Sequence, residues 1–143
     1  MSAKQLSVFI ENRQGRLGEV LSVLKEGGVN ILSLSLADTS EYGLLRLIVS
    51  DPENGRKILA EKGFSTMLTE VYVVKIGHKA GSLCDLVKGL SDVNINVEYM
   101  YGLSTAGADA YIVLKLSDTV KAEKVLNNLK ISTLSDKDIA SIA

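Results

Sequence analysis

Cysteine, proline, histidine and large aromatics are scarce in this chain. It holds one cysteine, Cys84, one proline, Pro52, one histidine, His78, and no tryptophan. A lone cysteine cannot close an internal disulfide, which fits a reducing compartment. One His and one Cys leave no Cys/His metal cluster of the usual kind, so no metal is expected. No Gly/Ser/Pro-rich or low-complexity tract is visible, so any two domains must abut almost directly. No apolar run approaches the roughly 18 residues that span a bilayer, and no membrane partner is expected. Met1 to Lys4 leads straight into Gln5-Leu6-Ser7-Val8-Phe9-Ile10, without the basic, apolar and small-residue succession of a secretory leader. A cytoplasmic location is expected. The formal net charge of -1 lacks the concentrated basic surface that a nucleic-acid partner requires. P-loop, G-x-S-x-G and dinucleotide fingerprints are missing, so the expectation is a non-enzyme without a cofactor.

What the chain does have is itself, twice. Leu17, Val20, Leu21 and Leu24 form the i, i+3, i+4, i+7 stripe of one helix face. Leu83, Leu86, Val87 and Leu90 repeat it 66 positions later. Gly15 and Gly81 precede the two stripes at the same offset, and Val29-Asn30-Ile31 returns as Ile95-Asn96-Val97. Leu47, Val49, Ser50 and Asp51 match Leu114, Leu116, Ser117 and Asp118 at an offset of 67, which places a one-residue insertion around Thr105 to Ala108. A duplicated unit of about 70 residues follows, with modules expected at 1–70 and 71–143.

Each half reads as strand, helix, strand, strand, helix, strand. The first half predicts strands near 5–11, 29–38, 43–50 and 64–70. Its first helix runs from about Arg16 to Glu26 and stops at Gly27-Gly28. Its second starts at Asp51-Pro52, a good cap followed by a residue suited to the first turn, and closes at Gly63. The second half predicts strands near 71–77, 94–104, 109–117 and 130–134, with helices near 81–91 and 119–129. Ser135-Asp136-Lys137-Asp138 resembles a capping box and predicts a short last helix to about Ile142. The expected fold class is α+β, two consecutive ferredoxin-like βαββαβ modules, each an antiparallel sheet with helices on one face. With strand order 4-1-3-2, the other sheet face and the edges are expected to need a neighbour.

Asn12-Arg13-Gln14-Gly15-Arg16-Leu17 resembles the N-x-P-G-x-L signature of ACT domains, and Gly28-Val29-Asn30-Ile31 resembles their G-I-N-I. His78-Lys79-Ala80-Gly81-Ser82-Leu83 and Val93-Asn94-Ile95-Asn96-Val97 stand in the same places of the second half. The whole resembles the stand-alone tandem ACT proteins of bacteria. Gln14 and Ala80 replace the usual Pro, and His78 replaces Asn. The resemblance implies an amino-acid-sensing regulatory protein that modulates a metabolic enzyme. The alternative it implies is a non-ligand-binding regulatory subunit like the small chain of acetolactate synthase. It also implies that a loop of one module and the Asn opening the second strand of its neighbour share one ligand. The implied half-sites are Asn12, Arg13, Gln14, Gly15, Arg16 and Leu17, then His78, Lys79, Ala80, Gly81, Ser82 and Leu83. Asn30 with Ile31, and Asn96 with Val97, would reach across an interface.

The ligand that the resemblance implies is an amino acid or similar small carboxylate, and the loop chemistry supports anion capture independently. Glycine before a helix lets backbone N–H groups converge on an anion, and the helix start carries about half a positive charge. The Asn amides offer donors and an acceptor, which suits a zwitterion. Each feature also has a plain structural reading. The glycines permit a tight turn, the Asn residues satisfy a strand start, and Arg13, Arg16 and Lys79 are ordinary solvated charges. Cys84, at the repeat position of Gly18, is expected to pack against the sheet. Tyr99 and Tyr101 share one sheet face and are expected in a pocket or an interface. If His78 contacts a ligand carboxylate, the second site is expected to bind more tightly as pH falls through about 6.5. Pairing the two halves by their second strands would separate the strands at the junction by about 30 Å, at about 4.8 Å per strand step. Thr69 to Val71 leaves no linker for that. The modules must therefore exchange or bend a strand, or the edges pair between chains, and a homodimer is expected.

Overall fold

A computed structural model describes residues 1–38, 42–77, 80–105, 107 and 109–143. The element order is β1 (Ala3–Glu11), α1 (Arg16–Glu26), β2 (Ile31–Asp38), β3 (Tyr42–Val49), α2 (Pro52–Glu61) and β4 (Ser65–Ile76). It continues with α3 (Ser82–Asp92), β5 (Val97–Ser104), β6 (Ala110–Leu116), α4 (Thr119–Asn128), β7 (Thr133–Leu134) and α5 (Asp136–Ile142). These elements form two compact units. The N-terminal unit comprises Lys4–Thr69 with Ile139–Ala143, and the C-terminal unit comprises Glu70–Asp138 with Met1–Ala3.

In the N-terminal unit the strands lie in the order β2-β3-β1-β4. Leu6 faces Leu47, and Val8 faces Leu45, across the antiparallel β1–β3 pair. Residues directly opposite share a sheet face, so these four form one apolar layer. Val20 and Leu24 of α1 and Leu59 of α2 close over it, and Val29 and Phe64 complete the core. The Asp51 side chain accepts from the Asn54 amide at 3.1 Å and starts α2. Ser7, on the other sheet face, is nonetheless buried, as are Gln5 and Ile48. Gln5 Nε2 donates to Ser7 Oγ at 3.1 Å, which offsets part of the cost of enclosing amide and hydroxyl. That face is therefore not bare along its whole length, although Phe9 remains exposed.

The C-terminal unit repeats the plan. β5 pairs with β6, β6 with β4, and β7 with β4 on its other side at Val73 and Val74. Tyr72, Val74, Leu114 and Leu116 form the inner layer beneath Leu86, Leu90, Ala122 and Leu126 of the two helices. The Asp118 side chain accepts from the Lys121 amide at 3.0 Å, as Asp51 does in the other unit.

Beyond shifts of one or two residues, as at β1 and β2, three boundaries differ from expectation. The strands read as 64–70 and 71–77 are one strand, β4, because nothing between Phe64 and Gly77 breaks an extended backbone. The strand read as 130–134 shrinks to Thr133–Leu134: Lys130 turns left-handed at φ 56°, and Ser135 already caps α5. The strand read from 94 begins at Val97, because Asn94 is left-handed at φ 62°. Cys84 does not pack against the sheet. It is exposed, and Gly18 has no neighbour within 4 Å of where a Cβ would stand. Tyr99 and Tyr101 do share a face, opposite Lys115 and Val113, and are half-buried there.

Candidate functional site

Both helices that follow a first strand start from a left-handed glycine. Gly15 has φ 90° and Gly81 φ 88°, and neither helix start receives a side-chain cap. An L-residue resists this geometry. Because the cap position carries no side chain, the early amides of each helix face outward at the positive end of its dipole.

Around Gly15 the loop residues Asn12, Arg13 and Gln14 are exposed, and Leu17 is half-buried against the core. Ile10, Glu11, Asn12, Arg13, Leu17, Leu36 and Gly43 line a cavity of about 330 Å³. Arg13 Nε donates to Glu11 Oε2 at 2.7 Å. That hydrogen bond and the Arg13 charge hold the Glu11 carboxyl below its ordinary range. The cavity thus offers both signs of charge beside an apolar wall.

Arg16 turns away from this cavity. Its guanidinium lies 4.4 Å from the centre of the Phe64 ring. Nη1 donates to Glu19 at 2.6 Å, and Nε is buried without a hydrogen-bond partner.

Asn30 is exposed and lies at the opposite end of its own module. β2 pairs Asp38 with Gly43, at the loop end, and Ile31 with Val49, at the far end. Roughly 20 Å of strand, about 3.4 Å per residue, separates Asn30 from the Gly15 loop. The Asn30 N–H donates to Ser50 Oγ at 2.9 Å and its C=O accepts from the Ser50 amide at 2.9 Å. Asn96 makes the same pair with Ser117, at 2.9 and 3.0 Å. The backbones of both Asn residues are therefore fixed by a serine that sequence reading does not assign to the site. Its signal is present in the repeated Ser-Asp of Ser50-Asp51 and Ser117-Asp118. Asn30 borders a separate depression of about 380 Å³ beside Lys25 and Gly28. Ile31, Leu83 and Val97 are half-buried and pack against the cores.

In the second half, Ala80 and Gly81 are exposed and Ser82 is half-buried at the start of α3. His78 and Lys79 lie outside the described residues. Among the described residues, no group of three or more His, Cys, Asp or Glu side chains gathers as a metal site. No described helix is long and apolar enough to cross a membrane.

Comparison with known proteins adds a family. The profile described as ACT domain pair matches residues 1–143. No curated protein matches the sequence. Among solved structures, protein BT0572 from Bacteroides thetaiotaomicron is 35% identical, with 98% of this chain and 96% of that chain covered and a TM-score of 0.91. The ligand-free regulatory subunit of aspartate kinase from Thermus thermophilus is 15% identical, with 89% and 90% covered and a TM-score of 0.61. The same subunit from Thermus flavus is 16% identical, with 91% and 92% covered and a TM-score of 0.62. At those identities the two Thermus proteins share the fold.

Proposed function

The chain belongs to the ACT domain pair family, and from that premise we propose that it binds an amino acid or similar small carboxylate and thereby regulates a metabolic enzyme, without catalysing a reaction itself. The observation that carries this reading is the cavity of about 330 Å³ lined by Asn12 and Arg13 of the loop, Leu17 of α1 and Leu36 of β2. It joins Arg13, which suits a carboxylate, to Glu11, which suits an ammonium, and to Leu17 and Leu36, which suit an apolar stem. The solved neighbours described as regulatory subunits of an aspartate kinase fit the same class of role.

The cavity opens at β2, an edge strand of its unit. Asn30 is too distant to close the site from within its own module, so the edge strand of a second chain supplies the missing Asn. The working form is a homodimer, with loops at Gly15 and Gly81 facing Asn30 and Asn96 of a neighbour. Thermal-shift screening of the twenty amino acids identifies the ligand, because binding to the folded state raises its stability by mass action. Calorimetry on Asn30→Ala and Asn96→Ala then reads affinity, expected to fall by about tenfold or more for a lost pair of ligand hydrogen bonds. Unchanged affinity in both variants removes these residues from the site. A flat amino-acid screen leaves the alternative, a subunit that binds only protein.

A further inference from the structure

The two units differ at one place that the repeat makes directly comparable. In the C-terminal unit, Lys75, Ile76, Gly77, Ser82, Asp85, Leu86, Leu129 and Ile131 line a cleft of about 280 Å³. Offsets of 66 and 67 map Ser82, Asp85 and Ile131 onto Arg16, Glu19 and Phe64. In the N-terminal unit the part of that place nearest the strand end is occupied by the Arg16 side chain. The Arg16 side chain is only 19% exposed, stacked on Phe64 and paired with Glu19. An open depression of about 570 Å³ remains beside it, bordered by Glu19, Ser22, Glu26, Lys62 and Phe64 among others, but Ile10, Glu11 and Val20, the matches of Ile76, Gly77 and Leu86, do not line it. Replacing Arg by the short Ser82 leaves the equivalent volume open.

The chemistry of the walls is kept while the occupant is missing. Leu86, Leu129, Ile131 and Ile76 supply apolar surface, and Asp85 stands where Glu19 receives the guanidinium. Among the described residues no cation pairs with Asp85. The one described cation on the rim, Lys75, is held by Asp109 at 3.1 Å. A planar cation with weakly hydrated faces suits a cleft with an open carboxylate and aliphatic walls better than a compact, strongly hydrated ammonium does.

We propose that this cleft of the C-terminal unit binds a small molecule bearing a guanidinium group, in the place that the N-terminal unit fills with Arg16. The cleft is distinct from the cavity lined by Asn12, Leu17 and Leu36, although the family resemblance implies an amino-acid loop at Ser82.

The test uses the full chain, labelled with 15N, and methylguanidinium chloride as the probe. That probe has no carboxylate, so its binding does not depend on the amino-acid reading. Saturable amide shifts at Ser82, Asp85 and Ile131 are expected at about millimolar concentration, the range open to a five-atom ligand. Ethylammonium chloride at the same concentrations is expected to give weaker, non-saturating shifts. Asp85→Asn, an exposed substitution that leaves the core intact, should weaken binding by about tenfold. Ser82→Arg should abolish it by filling the cleft as Arg16 does. Arg16→Ser should add a second set of saturable shifts around Glu19 and Phe64. Equal response to ethylammonium, no saturable shifts at all, or unchanged binding in Asp85→Asn each overturns the proposal.

Discussion

Lys130 and Asn94 record how the two copies have drifted. They occupy the positions of Gly63 and Gly28 in the repeat and keep the same left-handed backbone, with φ 56° and 62° against 86° and 71°. Asn tolerates this region through its short polar side chain, but Lys bears the full steric cost. Lys130→Gly is therefore expected to raise stability by about 0.5–1 kcal/mol, the left-handed penalty less the entropy of an added glycine. Gly15→Ala and Gly81→Ala run the other way. An added methyl at either position would meet no neighbouring side chain or strand within 4 Å, so the cost is backbone alone, about 1–2 kcal/mol each. Urea midpoints at constant slope check all three. Sequence spacing reveals both glycines because the helix stripe begins directly after them. The same spacing presents Arg16 as a solvated charge, because its partner Phe64 is distant in sequence and only the closure of the sheet brings the ring beneath the guanidinium.

At the scale of elements, helices are more legible than strands. The short last helix follows from four residues. Asp138 N donates to Ser135 Oγ at 3.2 Å, and the Asp138 carboxylate accepts from Ser135 N and Oγ, each at 2.9 Å. The backbone bond and then the hydroxyl bond from Ser135 hold the Asp138 carboxyl below its ordinary range. A depressed carboxylate stabilises the fold fully above its unfolded pKa of about 3.9 and loses that contribution as pH falls through the folded value. A carboxyl-detected NMR titration should thus place Asp138 below ordinary Asp, and Ser135→Ala should move it up. An unshifted Asp138 in the parent protein contradicts the cap. Strand limits are harder to read because the repeat imposes a boundary near residue 70 that the backbone ignores. Thr69, Glu70 and Val71 are all compatible with an extended chain, and β4 runs through them.

For the whole molecule, the repeated spacings announce the duplication but not what the edges do. Leu34 and Leu36 are each 47% exposed on β2, an edge strand. An exposed apolar edge is a template for pairing with another chain. The proposed homodimer gives these leucines a partner. Leu36→Lys should leave the fold intact, since the side chain is already half in solvent, and should raise the dimer dissociation constant by about tenfold or more in sedimentation experiments. A parent protein that sediments as a monomer at micromolar concentration, with and without amino acid, contradicts the dimer.

The allocation of Ile139–Ala143 to the N-terminal unit sets the timetable of biosynthesis. Ile139 is 2% exposed, so it is an integral part of what it joins. A ribosome delivers residues 4–69 first, yet the unit they begin stays unfinished until residue 139 has cleared the exit tunnel. The C-terminal unit needs chain to Asp138, so the two units are finished almost together, although one of them was begun first. A message cut just before codon 139 would remove the buried Ile139 and most of α5, a loss borne by the N-terminal unit although the missing residues lie at the other end of the sequence.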